Sequence, residues 1–74
     1  MTEQIIAMIA EVNPFEDVDR DTELIESGII DSLSLVFVIS QIQNVFGVEV
    51  PEELLQAENF ASVNKIEELI RSLQ

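Results

Sequence analysis

The sequence predicts an all-α fold: a small antiparallel bundle of about four helices, three long and one short, with a long loop between the first and second. Three observations predict it. Apolar residues recur at helical intervals in three separate segments of the 74-residue chain. Capping residues, Pro and Gly mark where those segments start and stop. The one stretch that resembles a strand, Leu33 to Ile39, has no partner strand elsewhere. Helices joined without strands imply a small bundle.

Each element follows in order. Thr2 is expected to cap a first helix whose apolar positions are Ile5, Ile6, Ile9 and Val12. Asn13-Pro14 should end it, because proline disfavours helix at the residue before it. Residues 14–31 carry seven acids and one Arg, with Phe15, Leu24, Ile25 and Gly28 between them. That pattern reads as a surface loop pinned to the core at its apolar points, and loops this long are often functional. A second helix should start at Asp31 or Ser32 and run to Phe46, with Gly47 as its stop. Its apolar pattern continues past Ile39 through Ile42, Val45 and Phe46, which favours helix over strand. Val48 to Pro51 is a short link, and Pro51 opens a brief helical turn over Glu52 to Gln56. Ser62 caps a last helix that turns Val63, Ile66, Leu69 and Ile70 inward.

Composition narrows the function. Length alone points to one domain, residues 1–74. Such a chain buries only about 60% of its unfolded surface. Apolar residues make up 47% of it, without Trp or Tyr, so Ile, Leu, Val and four Phe must supply the core. Cys and His are both absent. No disulfide can form, and neither usual ligand of a structural zinc is present. The usual nucleophile and general base of a small enzyme are missing too, so no catalytic residue is expected. The acidic loop has no EF-hand pattern, and no metal site is expected. Fifteen acids face three cations, Arg20, Lys65 and Arg71, for a net charge of −12. That charge disfavours nucleic acid and anionic membranes and suits partners with basic surfaces; it also serves plain solubility. Neither a signal peptide nor a membrane-spanning run is visible. A soluble, monomeric, cytoplasmic protein is the default expectation.

The informative segment is Gly28-Ile29-Ile30-Asp31-Ser32-Leu33. It sets a hydroxyl at the N-terminus of the longest helix, where free N–H groups and the helix dipole favour a phosphate. Asp31 and Ser32 are also common N-cap residues, and on these positions alone capping is the commoner reason to find them.

The wider pattern is more specific. It comprises Leu24-Ile25-Glu26-Ser27-Gly28-Ile29-Ile30-Asp31-Ser32-Leu33, then Phe46-Gly47-Val48-Glu49-Val50-Pro51, then Asn59-Phe60-Ala61-Ser62-Val63 and Ile66. This combination resembles the acyl carrier protein family, including the peptidyl and aminoacyl carriers, over nearly the whole chain. The resemblance implies that Ser32 receives 4′-phosphopantetheine from coenzyme A, through a phosphopantetheinyl transferase that uses a divalent cation. It further implies that the arm's thiol holds an acyl or aminoacyl group as a thioester, loaded by a ligase and passed to synthase or transferase enzymes. Asp31 then either recruits the transferase or caps the helix. The competing reading is an acidic helical interaction protein that never receives an arm.

One departure from the family pattern stands out. Many fatty-acid carriers have acids along the second helix, whereas Ser32 to Gly47 is uncharged here. A wheel of about 100° per residue puts Leu35, Ile39, Ile42 and Phe46 toward the core, and Ser34, Gln41 and Asn44 toward solvent. Leu33 and Phe37 fall among those polar residues. Leu33, Phe37, Ser34 and Gln41 are therefore the expected partner-binding face, with acids elsewhere steering approach. A specialised pathway is expected rather than primary fatty-acid synthesis. Val48, Val50, Leu54 and Leu55 are expected at the mouth of the bundle near the arm.

Overall fold

The computed structural model describes residues 1–74 as three α-helices and no strands: α1 (Thr2–Val12), α2 (Ser32–Phe46) and α3 (Val63–Leu73). The predicted fourth, short helix is a single 3-10 turn, Glu52–Leu54, and a second 3-10 turn, Ala57–Phe60, follows it. α1 packs against both α2 and α3, and the second 3-10 turn packs on α3. No helix is long and apolar enough to cross a membrane.

The core is one cluster. Phe60, Ile5, Ile9, Leu24, Ile30, Val38, Ile42, Val63, Ile66 and Ile70 are its fully buried side chains. In α1 the buried stripe is Ile5, Met8 and Ile9, with Ile6 and Val12 at its edges. Asn13 ends α1 as expected, its N–H bonded to the Ile9 carbonyl. Thr2 does not cap the helix. It lies in the first turn, and its hydroxyl donates instead to the Glu67 carboxylate. A hydrogen bond to a charged acceptor is stronger than a local neutral cap, which explains the switch.

The long loop is anchored differently from expectation. Phe15 is 94% exposed, in the turn that leads the chain out from α1, while Val18 packs partly against the core in its place. Leu24 is fully buried, and Ile29 and Ile30 are buried beside it. Gly28 has φ +82°, a conformation that side chains with a Cβ rarely adopt, and it turns the chain between Ile25 and Ile30. Gly47 ends α2 in the left-handed conformation, with its N–H on the Gln43 carbonyl.

Within α2 the buried stripe centres on Val38 and Ile42; Leu35, Ile39 and Phe46 are half-buried. The helix is thus rolled toward Val38 relative to the wheel. Ser34 and Gln41 lie beside Val38 on that wheel, about 40–60° away, so the roll draws both partly inward. They flank the outer face rather than form it. Asn44 is exposed as expected.

A polar cluster ties the loop to α3. Arg20 Nη2 lies 2.6 Å from Glu67 Oε2, and Arg20 Nε donates to Asn64 Oδ1 at 2.8 Å. Asn64 Nδ2 donates to Asp21 Oδ1 at 2.8 Å. Glu67 is the one buried charged residue in the protein, at 3% exposure.

Candidate functional site

Ser32 is the first helical residue of α2, and Asp31 is its N-cap. Asp31 Oδ1 accepts the Ser34 N–H at 2.8 Å. Hydrogen bonds from Ser34 hold the Asp31 carboxyl below its ordinary value, so it stays ionised at neutral pH. Asp31 therefore caps the helix, and as the cap it fixes where the helix begins and leaves Ser32 at the start. Ser32 is exposed and its hydroxyl makes no hydrogen bond with the protein.

Beside Ser32 lies an open, largely apolar groove of about 350 Å³, lined by Ile25, Gly28, Ile30, Asp31, Ser32, Leu35 and Ala57. One wall comes from the acidic loop and the other from the 3-10 turn Ala57–Phe60. Val48, Val50, Leu54 and Leu55 are not among its lining. Val50 is buried in the core, and Leu54 faces a separate groove against α3. The mouth near Ser32 is built by the loop because the buried Leu24 and Ile30 carry the backbone there.

The outer face of α2 is apolar. Leu33 is 83% exposed, Val36 66% and Phe37 36%. Leu33 and Phe37 lie on this face as expected from the wheel, and Val36 joins them. With no charge from Ser32 to Gly47, the patch stands out from a strongly acidic surface.

The acids outside α2 make stability depend on pH in two opposed ways. Glu67 and Asp31 have lowered values. Glu67 is held down first by the Thr2 hydroxyl and then by the charges of Arg20 and Arg71, against the opposing effect of burial. Their stabilisation is complete above the ordinary carboxyl range and is lost as pH falls through the folded values. Glu23 is raised by a hydrogen bond and like charge from Glu26, so its penalty is present at neutral pH and relieved on acidification. The thermal midpoint should therefore rise from pH 7 to about pH 5, and fall below about pH 4. Circular-dichroism melts at constant ionic strength test this; a steady decline from pH 7 downward would contradict it.

Comparison with known proteins bears on the chain as a whole. A family model described as a phosphopantetheine attachment site matches residues 3–70. The chain belongs to the phosphopantetheine-attachment family. It is similar to a D-alanyl carrier protein of Streptococcus uberis, with 38% identity over 61 residues covering 80% of this chain and 77% of that one. Members of the phosphopantetheine-attachment family are carriers and not catalysts; this chain is not an enzyme. Its cofactor is covalent 4′-phosphopantetheine. That identity decides against an interaction protein without an arm. A carrier of this family works with a phosphopantetheinyl transferase and with loading and downstream enzymes.

The residues present fit the group. A phosphodiester needs a reachable hydroxyl, and Ser32 offers one, exposed, without an internal partner, at the start of a 15-residue helix. The apolar groove beside it suits the aliphatic part of an arm.

Proposed function

We propose that Ser32 is the attachment residue and that the protein carries a small amino acid as a thioester. The observation that carries the first part is the free, exposed hydroxyl at the capped start of α2. The arm supplies a thiol, which this chain lacks. Support for an aminoacyl cargo comes from the D-alanyl carrier protein it resembles. A cytoplasmic adenylating ligase would load the cargo on the monomeric carrier, and an acyltransferase would remove it. Asp31 helps present the site to the transferase's basic surface while capping α2. Neither nucleic acid nor membrane insertion belongs to this function.

Partners grip the α2 face through Leu33, Val36 and Phe37, with Ser34 and Gln41 on the flank. Acids outside the helix steer approach, a contribution that salt screens. Burying an exposed side chain such as Leu33 is worth about 1.5–3 kcal/mol, roughly tenfold or more in affinity, while Phe37, at 36% exposure, has less to gain.

The test charges the arm-bearing protein with an amino-acid-adenylating ligase, ATP and D-alanine, and reads intact mass. A gain removed by hydroxylamine is expected. Loading by an acyl ligase with a fatty acid, and none with the amino acid, would overturn the cargo assignment. In the same assay Leu33→Ser should raise the ligase KM about tenfold with little change in melting temperature, and Phe37→Ser should raise it by less, since Phe37 is 36% exposed. Unchanged kinetics in both variants would remove the docking face.

A further inference from the structure

We propose that the Arg20–Asn64–Glu67 cluster is a remote clasp that positions the segment carrying Ser32 for the enzymes acting on it. The proposal rests on Ser32 as the attachment residue. Its basis is a continuous chain of contacts. The start of α3 and the bend just before it grip the loop at two backbone points: the Asn64 N–H donates to the Arg20 carbonyl at 3.1 Å, and the Leu24 N–H to the Ala61 carbonyl at 2.8 Å. The Leu24 carbonyl then accepts the Ile30 N–H at 2.9 Å, one residue before the Asp31 cap. The Arg20 side chain locks the first grip through Asn64 and Glu67, and Thr2 ties α1 to the same carboxylate.

The second groove wall has the same root. Ala57 belongs to the turn that ends at Phe60, and that turn packs on α3. Both sides of the groove are thus referenced to the start of α3, on which Arg20 closes.

A structural role alone explains this cluster poorly. Glu67 is a buried carboxylate in a chain of net charge −12, but its partner Arg20 is more than half exposed, and an ion pair open to solvent on one side adds little net stability. What an ion pair with oriented hydrogen bonds adds is a single register. The acidic loop needs one, since its apolar anchors before Leu24 amount to a half-buried Val18. Without the clasp the segment spends less time in the arrangement that presents Ser32, and apparent affinity falls by that fraction. Once bound to the transferase, the geometry is restored and turnover is unchanged.

The experiment compares Arg20→Ala, Glu67→Gln, Arg20→Lys and a core control in α1, Ile9→Val. It measures steady-state modification by a phosphopantetheinyl transferase with coenzyme A, together with amide hydrogen exchange. Arg20→Ala and Glu67→Gln should raise KM for the carrier roughly 3- to 10-fold with kcat within about twofold. The Leu24 and Ile30 amides should lose protection ahead of those in mid-α1. Arg20→Lys, which keeps the charge but can satisfy only one acceptor in that geometry, should recover part of the effect. Ile9→Val should leave KM unchanged. An unaltered KM in the clasp variants, or an equal rise in Ile9→Val, overturns the proposal. If Arg20→Ala does not fold, Glu67→Gln carries the test, because it keeps an oxygen for Thr2. Modification that persists in Ser32→Ala would overturn the attachment residue instead; exchange at Leu24 and Ile30 would still decide whether the clasp orders the segment.

Discussion

Ser32→Ala should abolish the mass gain that the unmodified protein acquires with coenzyme A, magnesium and a broad-specificity phosphopantetheinyl transferase. The effect is complete rather than graded, because the oxygen removed is the atom that forms the phosphodiester. Folding should survive. The Ser32 hydroxyl is exposed and bonds to nothing in the protein, and the cap of α2 is Asp31. Surface changes of this kind stay within about 0.5 kcal/mol, so the melting temperature should move by no more than about 4 °C. Intact mass spectrometry and a thermal melt on the same sample separate lost attachment from lost structure. A gain that persists in the variant, or no gain in the parent under conditions that modify a known carrier, would overturn Ser32 as the anchor.

Phe60→Ala should have the largest effect on stability. Phe60 is fully buried, the largest of the fully buried side chains, and it closes the 3-10 turn that gives Ala57 to the groove. Truncating a buried Phe costs about 3–5 kcal/mol. A protein of this length has about 4–11 kcal/mol in total. The variant should lose about 15 °C or more in melting temperature, and much of it should be unfolded at growth temperature if the parent lies at the low end. Leu33→Ala, at 83% exposure, is the contrast and should scarcely shift the melt. A drop of less than about 5 °C in Phe60→Ala would mean that Phe60 is not at the centre of the packing.

The two variants separate what kinds of information the chain carries. Ser32 and its cap lie within a few consecutive residues, and Asp31, Gly47 and Ser62 act on backbone groups close to themselves. Such features follow from local sequence, so the end of α1, both ends of α2 and the start of α3 are legible from neighbouring residues, whereas the start of α1 is not, because Thr2 bonds to Glu67 instead of capping. The same holds for the Asp31-Ser32-Leu33 motif, a run of neighbouring residues. Phe60 was legible as part of a family pattern, but its rank in the core was not, since that depends on what surrounds it.

By itself, then, the sequence determined the three long helices, most of their ends and the acidic loop, while the short helix it also predicts over Glu52 to Gln56 is a 3-10 turn, Glu52–Leu54. Tertiary structure decided the roll of α2 toward Val38, the exposure of Val36 and Phe15, the diversion of Thr2 from capping to Glu67, and the clasp from Arg20 to α3. The physical reason is sequence separation. Arg20 and Glu67 are 47 positions apart, and Thr2 and Glu67 are 65 apart. Periodicity and capping report only on neighbours within a turn or two, whereas which face is buried and which charge finds a partner depend on elements that meet only when the chain has folded.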